Sequence, residues 1–212
     1  MSAKPPQALL LVGPGCPHCA TALGALGELV KKGAIGRLEV VNVAVLPEIA
    51  AAMGVRSVPW LRLGEFELEG AMREAELQQW IRESQSEQGM ANYFDYMLSA
   101  GRLAAVERDV RAHPPRMHEL LSIAADPNRN MNARIGVSAV CESIQGSDLL
   151  AGSMEQLGDM SRVDHAAVRA DAAYLLGLTG DSKAVTYLQE LQHDENPDVR
   201  EIAMQALQVL GG

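Results

Sequence analysis

The sequence predicts an α/β domain over residues 1–86, followed by an all-α domain over residues 90–212. In the first part, apolar runs with the length of buried strands alternate with segments of helical periodicity. Beyond residue 89, every apolar pattern has helical spacing. The polar segment 84–89 between the two parts has no periodicity, and we interpret it as a linker.

The pattern of residues 1–86 predicts the element order β-α-β-α-β-β-α. Apolar or β-branched runs indicate its strands, and apolar residues three and four positions apart indicate its helices. The predicted strands cover residues 8–13, 37–43, 60–63 and 66–69. The predicted helices cover residues 16–32, 47–53 and 72–84. We expect the first two strands to be parallel.

The run Cys16-Pro17-His18-Cys19 follows the first predicted strand and opens the first helix. Proline suits the first helical position, so Pro17 makes Cys16 the N-cap and places Cys19 one turn inside. Unpaired N–H groups and the helix dipole favour a thiolate at Cys16, and a protonated His18 strengthens this effect. We therefore expect Cys16 to be the exposed nucleophile and Cys19 the buried thiol that resolves a mixed disulfide.

A redox dithiol is the main interpretation of this cysteine spacing, with a metal site and an inert pair as alternatives. A zinc site needs about four ligands, and the sequence has no second cysteine pair. The third cysteine, Cys141, stands alone on an apolar helix face, where we expect it to pack in the core. We expect neither a metal nor a cofactor.

The element order, with the dithiol after the first strand, resembles the thioredoxin/glutaredoxin superfamily over residues 7 to about 86. The run Val55-Arg56-Ser57-Val58-Pro59-Trp60 stands just before the hairpin, where the superfamily carries a cis-proline beside its dithiol. The resemblance implies a cis Val58-Pro59 bond, with the backbone of Val58 free to bind an extended substrate like an added strand. Trp60 is expected either to line this substrate site or to pack in the core.

The dipeptide Pro17-His18 resembles the active site of the bacterial periplasmic disulfide oxidases, which implies a strongly oxidising pair. The first strand carries no carboxylate, whereas thioredoxins bury an acid there.

The second part contains three similar helical segments, each after a polar turn and each with an arginine at the same place. These arginines are Arg134, Arg169 and Arg200. The segments resemble the short HEAT-like repeats, also called PBS-lyase repeats, over about residues 115–212. The resemblance implies a solenoid in which each helix pair packs against its neighbours. It also implies that the arginines pair with aspartates of a neighbouring repeat, such as Asp164 or Asp198; a binding role is the alternative.

The net charge of −9 argues against nucleic-acid binding, because phosphates would be repelled. No run of 18 apolar residues exists to span a membrane, and residues 1–6 lack the apolar segment of a signal peptide. We therefore expect a cytoplasmic protein. The acidic excess is concentrated in residues 89–212, where it suggests a basic or neutral protein partner, although a solvated face explains it equally well.

These patterns predict a thiol-disulfide oxidoreductase that acts on protein disulfides, with helical repeats that recruit a protein partner. The alternative is a non-catalytic or redox-gated adaptor or assembly factor, in which the repeats are the main binding module.

Overall fold

The computed structural model describes residues 4–211, which divide into two compact units, one ending at Gly89 and one beginning at Met90. The first unit is a small mixed sheet with helices, and the second is helical. This is the predicted fold class, an α/β part followed by an all-α part. The expectation that residues 1–6 lack a signal peptide lies partly outside the described residues, because the description begins at residue 4.

The sheet of the first unit has the strand order β2-β1-β3-β4. Its strands are β1 (Gln7–Val12), β2 (Arg37–Asn42), β3 (Trp60–Leu63) and β4 (Phe66–Glu69). Strands β1 and β2 are parallel, as predicted, and the other two neighbouring pairs are antiparallel. Because β1 has a neighbour on each side, the sheet fixes the end of β1 that leads to the cysteine motif.

The helices of this unit are α1 (Pro17–Lys31), α2 (Pro47–Ala52) and α3 (Glu74–Glu83). Helix α1 buries Cys19, Ala22, Leu26 and Leu29, which recur at the helical spacing of three and four. Helix α3 packs against α1. It begins two residues later than predicted, because Arg73 is extended and its backbone N–H donates to the Glu76 carboxylate at 2.7 Å.

The second unit consists of helices joined by short turns, with a 3₁₀ turn at Pro114–Arg116. Its helices are α4 (Gly89–Ser99), α5 (Leu103–Ala112), α6 (Met117–Ala125), α7 (Met131–Ser143), α8 (Asp148–Ala151), α9 (Met154–Met160), α10 (Ala166–Leu178), α11 (Ala184–Leu191) and α12 (Pro197–Gly211). Within residues 4–211, no helix combines the length and apolarity needed to cross a lipid bilayer.

The helices of the second unit pack in successive pairs. Helix α6 packs against α7, α9 against α10, and α11 against α12. Between pairs, α10 contacts α7 and α12, while α9 contacts α6 and α11. This stacking is what a solenoid of helix pairs requires. The assignment of these pairs to HEAT-like repeats stays a prediction.

Glycines allow these helices to approach closely. A Cβ added at Gly158 of α9 would lie 2.5 Å from the ring of Tyr187 on α11. A Cβ added at Gly177 of α10 would lie 2.8 Å from the Cβ of Ala206 on α12. Since real Cβ atoms do not approach other atoms this closely, each helix contact requires a glycine, which has no Cβ.

Arg134 and Arg169 pair with aspartates from other parts of the helical unit, as the resemblance implied, but the named candidates Asp164 and Asp198 do not supply the carboxylates. Arg134 forms an ion pair with Asp171 at 2.6 Å, and Arg169 donates two hydrogen bonds to Asp194 at 2.7 and 2.8 Å. Asp164 offers Arg169 only its backbone carbonyl, at 2.8 Å. Arg200 donates to the backbone carbonyl of Asp194 at 2.7 Å, not to the carboxylate of Asp198. Asp171 lies 37 residues from Arg134, and Asp194 lies 25 residues from Arg169, so tertiary packing brings each ion pair together.

Candidate active site

The site begins at the turn between β1 and α1. Gly15 has a φ of 71°, which a glycine adopts without strain, and Cys16 follows in an extended conformation as the N-cap of α1. Pro17 occupies the first helical position. The backbone N–H of Cys19 donates to the sulfur of Cys16 at 3.2 Å. The sulfur of Cys16 therefore lies at the positive end of α1, as the sequence predicted.

Cys16 and Cys19 are joined in a disulfide, with their Cα atoms 5.4 Å apart. Cys16 is half-buried, whereas Cys19 is only 5% exposed. Of the two residues, Cys16 is therefore the one that a large substrate reaches more easily.

His18 and Pro17 are exposed beside the disulfide. In the described part of the chain, the His18 ring forms no hydrogen bond to either sulfur.

The loop before β3 lies against the disulfide. Its Val58-Pro59 peptide bond is cis, as the resemblance implied. The carbonyl oxygen of Val58 lies 3.6 Å from the sulfur of Cys16. Pro59 is buried and Val58 is half-buried, so the fold brings this loop and the cysteine motif together from distant parts of the sequence.

Gly13 makes this close approach possible, and sequence reasoning treated it only as the end of a strand. A Cβ added at Gly13 would lie 3.2 Å from Cγ2 of Val58 and 3.8 Å from Cγ2 of Val43. The position of Gly13 between a strand and the cysteine motif could have indicated this contact, because a glycine there often marks a place where another part of the chain approaches the backbone closely.

A hollow of about 440 Å³ adjoins the disulfide. Besides both cysteines, its lining includes Gly13, Pro17 and Leu23. Leu23 is 41% exposed. An apolar surface therefore adjoins the sulfur of Cys16.

Trp60 does not extend this surface. Its side chain is 1% exposed and packs with Leu11 and Val41 in the core. The expectation that Trp60 lines a substrate site is therefore not supported, and its burial agrees with the core alternative.

Cys141 lies in the core of the helical unit, on α7. It is a free thiol, and burial raises its pKa to about 12. This agrees with the core-packing prediction, because a thiol so hard to ionise is a poor nucleophile.

A family model described as thioredoxin domain matches residues 8–82. Residues 8–82 form a thioredoxin domain. This domain contains β1 to β4, the cysteine pair and most of α3. Among curated proteins, none matches this chain. The helical unit lies beyond the end of the thioredoxin match, at residue 82.

Proposed function

We propose that this protein is a thiol-disulfide oxidoreductase acting on protein disulfides, and that its helical unit recruits a protein partner. The cysteine pair at the N-terminus of α1 carries the proposal, with the Cys19 N–H directed at the sulfur of Cys16 at 3.2 Å. A thioredoxin domain with such a pair is suited to thiol-disulfide exchange.

The reaction would begin with the reduced protein. The Cys16 thiolate attacks one sulfur of the substrate disulfide, so the substrate S–S bond breaks and its other sulfur leaves as a thiolate. Cys19 then attacks the sulfur of Cys16, which restores the disulfide of the protein and releases the second substrate thiolate. Two electrons pass from the protein dithiol to the substrate, and an external thiol reductant restores the dithiol.

The unequal environments of the cysteines support these roles. Cys16 is the more accessible residue and lies at the helix N-terminus, where N–H groups and the dipole stabilise a thiolate. Cys19 is buried one turn inside, within reach of Cys16 but shielded from a protein substrate. Pro17 fixes the start of the helix, and a protonated His18 adds positive charge nearby.

The Val58-Pro59 loop would hold the substrate. An extended substrate segment that hydrogen-bonds to the backbone of Val58 would lie beside the sulfur of Cys16, which is 3.6 Å from the Val58 carbonyl. Such binding uses main-chain groups and therefore accepts many sequences.

A trapping experiment tests the proposal. The reduced full-length Cys19→Ser variant is mixed with a peptide that contains one intramolecular disulfide, and the products are weighed by mass spectrometry. We expect a covalent adduct at Cys16 that persists, because the resolving thiol is absent. The Cys16→Ser variant is the matched control and should form no adduct. An adduct at Cys141, or equal adduct formation in both variants, would contradict the assigned roles.

A redox-gated adaptor is the second candidate. The observation that favours it is the size of the helical unit, which packs around its own core and lies outside the thioredoxin match. In this case the full-length protein would not turn over a disulfide substrate. Partner binding would persist in the Cys16→Ser/Cys19→Ser double variant.

A further inference from the structure

The helical unit contains an open groove of about 590 Å³. One wall is formed by Pro114, Pro115 and the start of α6, and the other by α8 and α9. Apolar side chains form much of its lining: Pro114, Pro115, Met117 and Leu149. A concave apolar lining of this kind favours an apolar side chain from a bound molecule.

Three carboxylates also belong to the lining of this groove. Asp148, Glu155 and Asp159 all line the groove, and all three residues are exposed. Within residues 4–211, none of these carboxylates forms an ion pair or a side-chain hydrogen bond, and no lysine or arginine lines the groove. Asp171 and Asp194 of the same unit are, by contrast, neutralised by arginines. The lining therefore carries three exposed carboxylates and neither lysine nor arginine.

The two walls are held together by a pair of side-chain contacts. The Gln156 side chain of α9 donates to the backbone carbonyl of His118 at 3.0 Å. The other amide atom of Gln156, Oε1, lies 3.1 Å from Nδ1 of His118. Because these contacts link the two walls before anything binds, a ligand loses less free energy in ordering the groove.

We infer that this groove binds a segment of a protein partner in which an apolar side chain is flanked by arginine or lysine. The apolar side chain contacts the lining, and the cationic side chains meet Asp148, Glu155 and Asp159. Exposed ion pairs add modest affinity, but complementary charge favours fast association and excludes acidic segments. The inference rests on the recruiting role proposed for the helical unit and does not depend on the dithiol.

Peptide binding to the full-length protein tests the inference. The probe is a fluorescein-labelled peptide of sequence Leu-Arg-Arg-Leu-Arg-Arg, which lacks cysteine, and binding is measured by fluorescence anisotropy. Two comparison peptides replace either every arginine by glutamine or every leucine by serine. We expect both replacements to weaken binding, and added salt to weaken binding of the arginine peptide.

Two matched double variants separate the groove from the overall charge. Asp148→Asn/Glu155→Gln removes two carboxylates at the groove, and Asp198→Asn/Glu201→Gln removes two exposed carboxylates of α12 outside its lining. We expect the groove variant to weaken binding by about tenfold, since two exposed ion pairs of about 0.7 kcal/mol each are lost, and the α12 variant to bind like wild type. Thermal unfolding followed by circular dichroism checks that both variants fold.

Equal weakening in both variants would overturn the inference, because it would mean attraction to the general acidic surface. Equal binding of the arginine and glutamine peptides, or no binding of the arginine peptide, would also overturn it. The trapping experiment on Cys16 uses the same protein. Absence of peptide binding at the groove is therefore distinguishable from absence of thiol-disulfide exchange at the dithiol.

Discussion

The backbone N–H of Cys19 is directed at the sulfur of Cys16, with a nitrogen-to-sulfur distance of 3.2 Å. This contact exists because Pro17 starts α1 immediately after Cys16, so the N–H of Cys19 faces the side chain of the N-cap. The same N–H also donates to the backbone carbonyl of Cys16 at 3.2 Å. In the reduced protein the same N–H would stabilise negative charge on the sulfur. The reactivity of the site follows from this local geometry.

We predict that Cys16 is the fast thiol of the reduced protein. It should be alkylated by iodoacetamide well below the ordinary thiol pKa of about 8.5, because the helix N-terminus favours its thiolate. Cys19 should react slowly because it is buried, and Cys141 should react slowly because burial raises its pKa to about 12. Peptide mapping of alkylation against pH measures this, and a fast Cys19 or Cys141 would reverse the assignment.

We also predict the reduction potential of the cysteine pair relative to that of thioredoxin. Pro17-His18 favours the thiolate form, and stabilising the reduced state raises the potential above the value of about −270 mV typical of thioredoxin. Equilibration with glutathione buffers of known potential measures this. A potential at or below that of thioredoxin would mean that other surroundings outweigh the dipeptide.

Gly13→Ala should disturb the contact between the motif and the Val58 loop. The new Cβ would lie 3.2 Å from Cγ2 of Val58, so this side chain must move by a few tenths of an ångström. We expect slower disulfide reduction and a stability loss of about 1 kcal/mol. Gly24→Ala on α1 is the matched control, because its Cβ would meet nothing within 4 Å. That control should be neutral or stabilising by up to about 1 kcal/mol. Equal turnover in the two variants would show that the approach of Val58 is not needed.

Gly177→Ala should destabilise the helical unit by about 2 kcal/mol, because the new Cβ would lie 2.8 Å from that of Ala206. The double variant Gly177→Ala/Ala206→Gly moves the methyl group to the other helix and should recover part of the loss. Urea unfolding measures both. No recovery in the double variant would mean that the contact between α10 and α12 is not the cause.

The ion pair between Arg169 and Asp194 gives a prediction for the pH dependence of stability. Its side chains are 9% and 7% exposed, so Asp194→Asn should cost about 3 kcal/mol at pH 7, because the buried guanidinium keeps only the exposed Glu195 carboxylate as an anionic partner. Hydrogen bonds from Arg169 lower the pKa of Asp194 below its ordinary value. The stabilisation is therefore complete above about pH 4, the ordinary range of an aspartate, and is lost as the pH falls through the lower folded pKa.

Urea unfolding of wild type and Asp194→Asn at several pH values between 7 and 3 checks this prediction. The difference in stability between the two proteins should narrow at the acidic end. The Asp198→Asn variant, which changes an exposed aspartate of α12, is the control and should differ little from wild type at any pH. A difference that is constant with pH would show that the Asp194 charge is not what matters.

The order of strands and helices was predictable because each element of the first unit has a clear period and a clear stop. The N-cap position of Cys16 was predictable for a similar reason, since a proline in the first helical position fixes where the helix begins. Both depend on residues close together in the sequence.

Features that depend on distant residues were not predictable in the same way. A strand pattern places Trp60 on one face of β3, but only the packing of Leu11 and Val41 shows that this face is the core. The acidic partners of Arg134 and Arg169 likewise follow from how the helices stack. The groove of the helical unit combines residues 114–118 with residues 148–159, which no local pattern connects.

The most direct test of the proposed function is steady-state reduction of a disulfide-containing peptide by the full-length protein, with an excess of thiol reductant. We predict multiple turnovers for wild type and none above background for Cys16→Ser. Cys19→Ser should accumulate the mixed disulfide in a parallel reaction without the thiol reductant, because excess thiol would cleave that disulfide. Turnover by Cys16→Ser equal to that of wild type, or no turnover by the folded wild type, would contradict the proposed function.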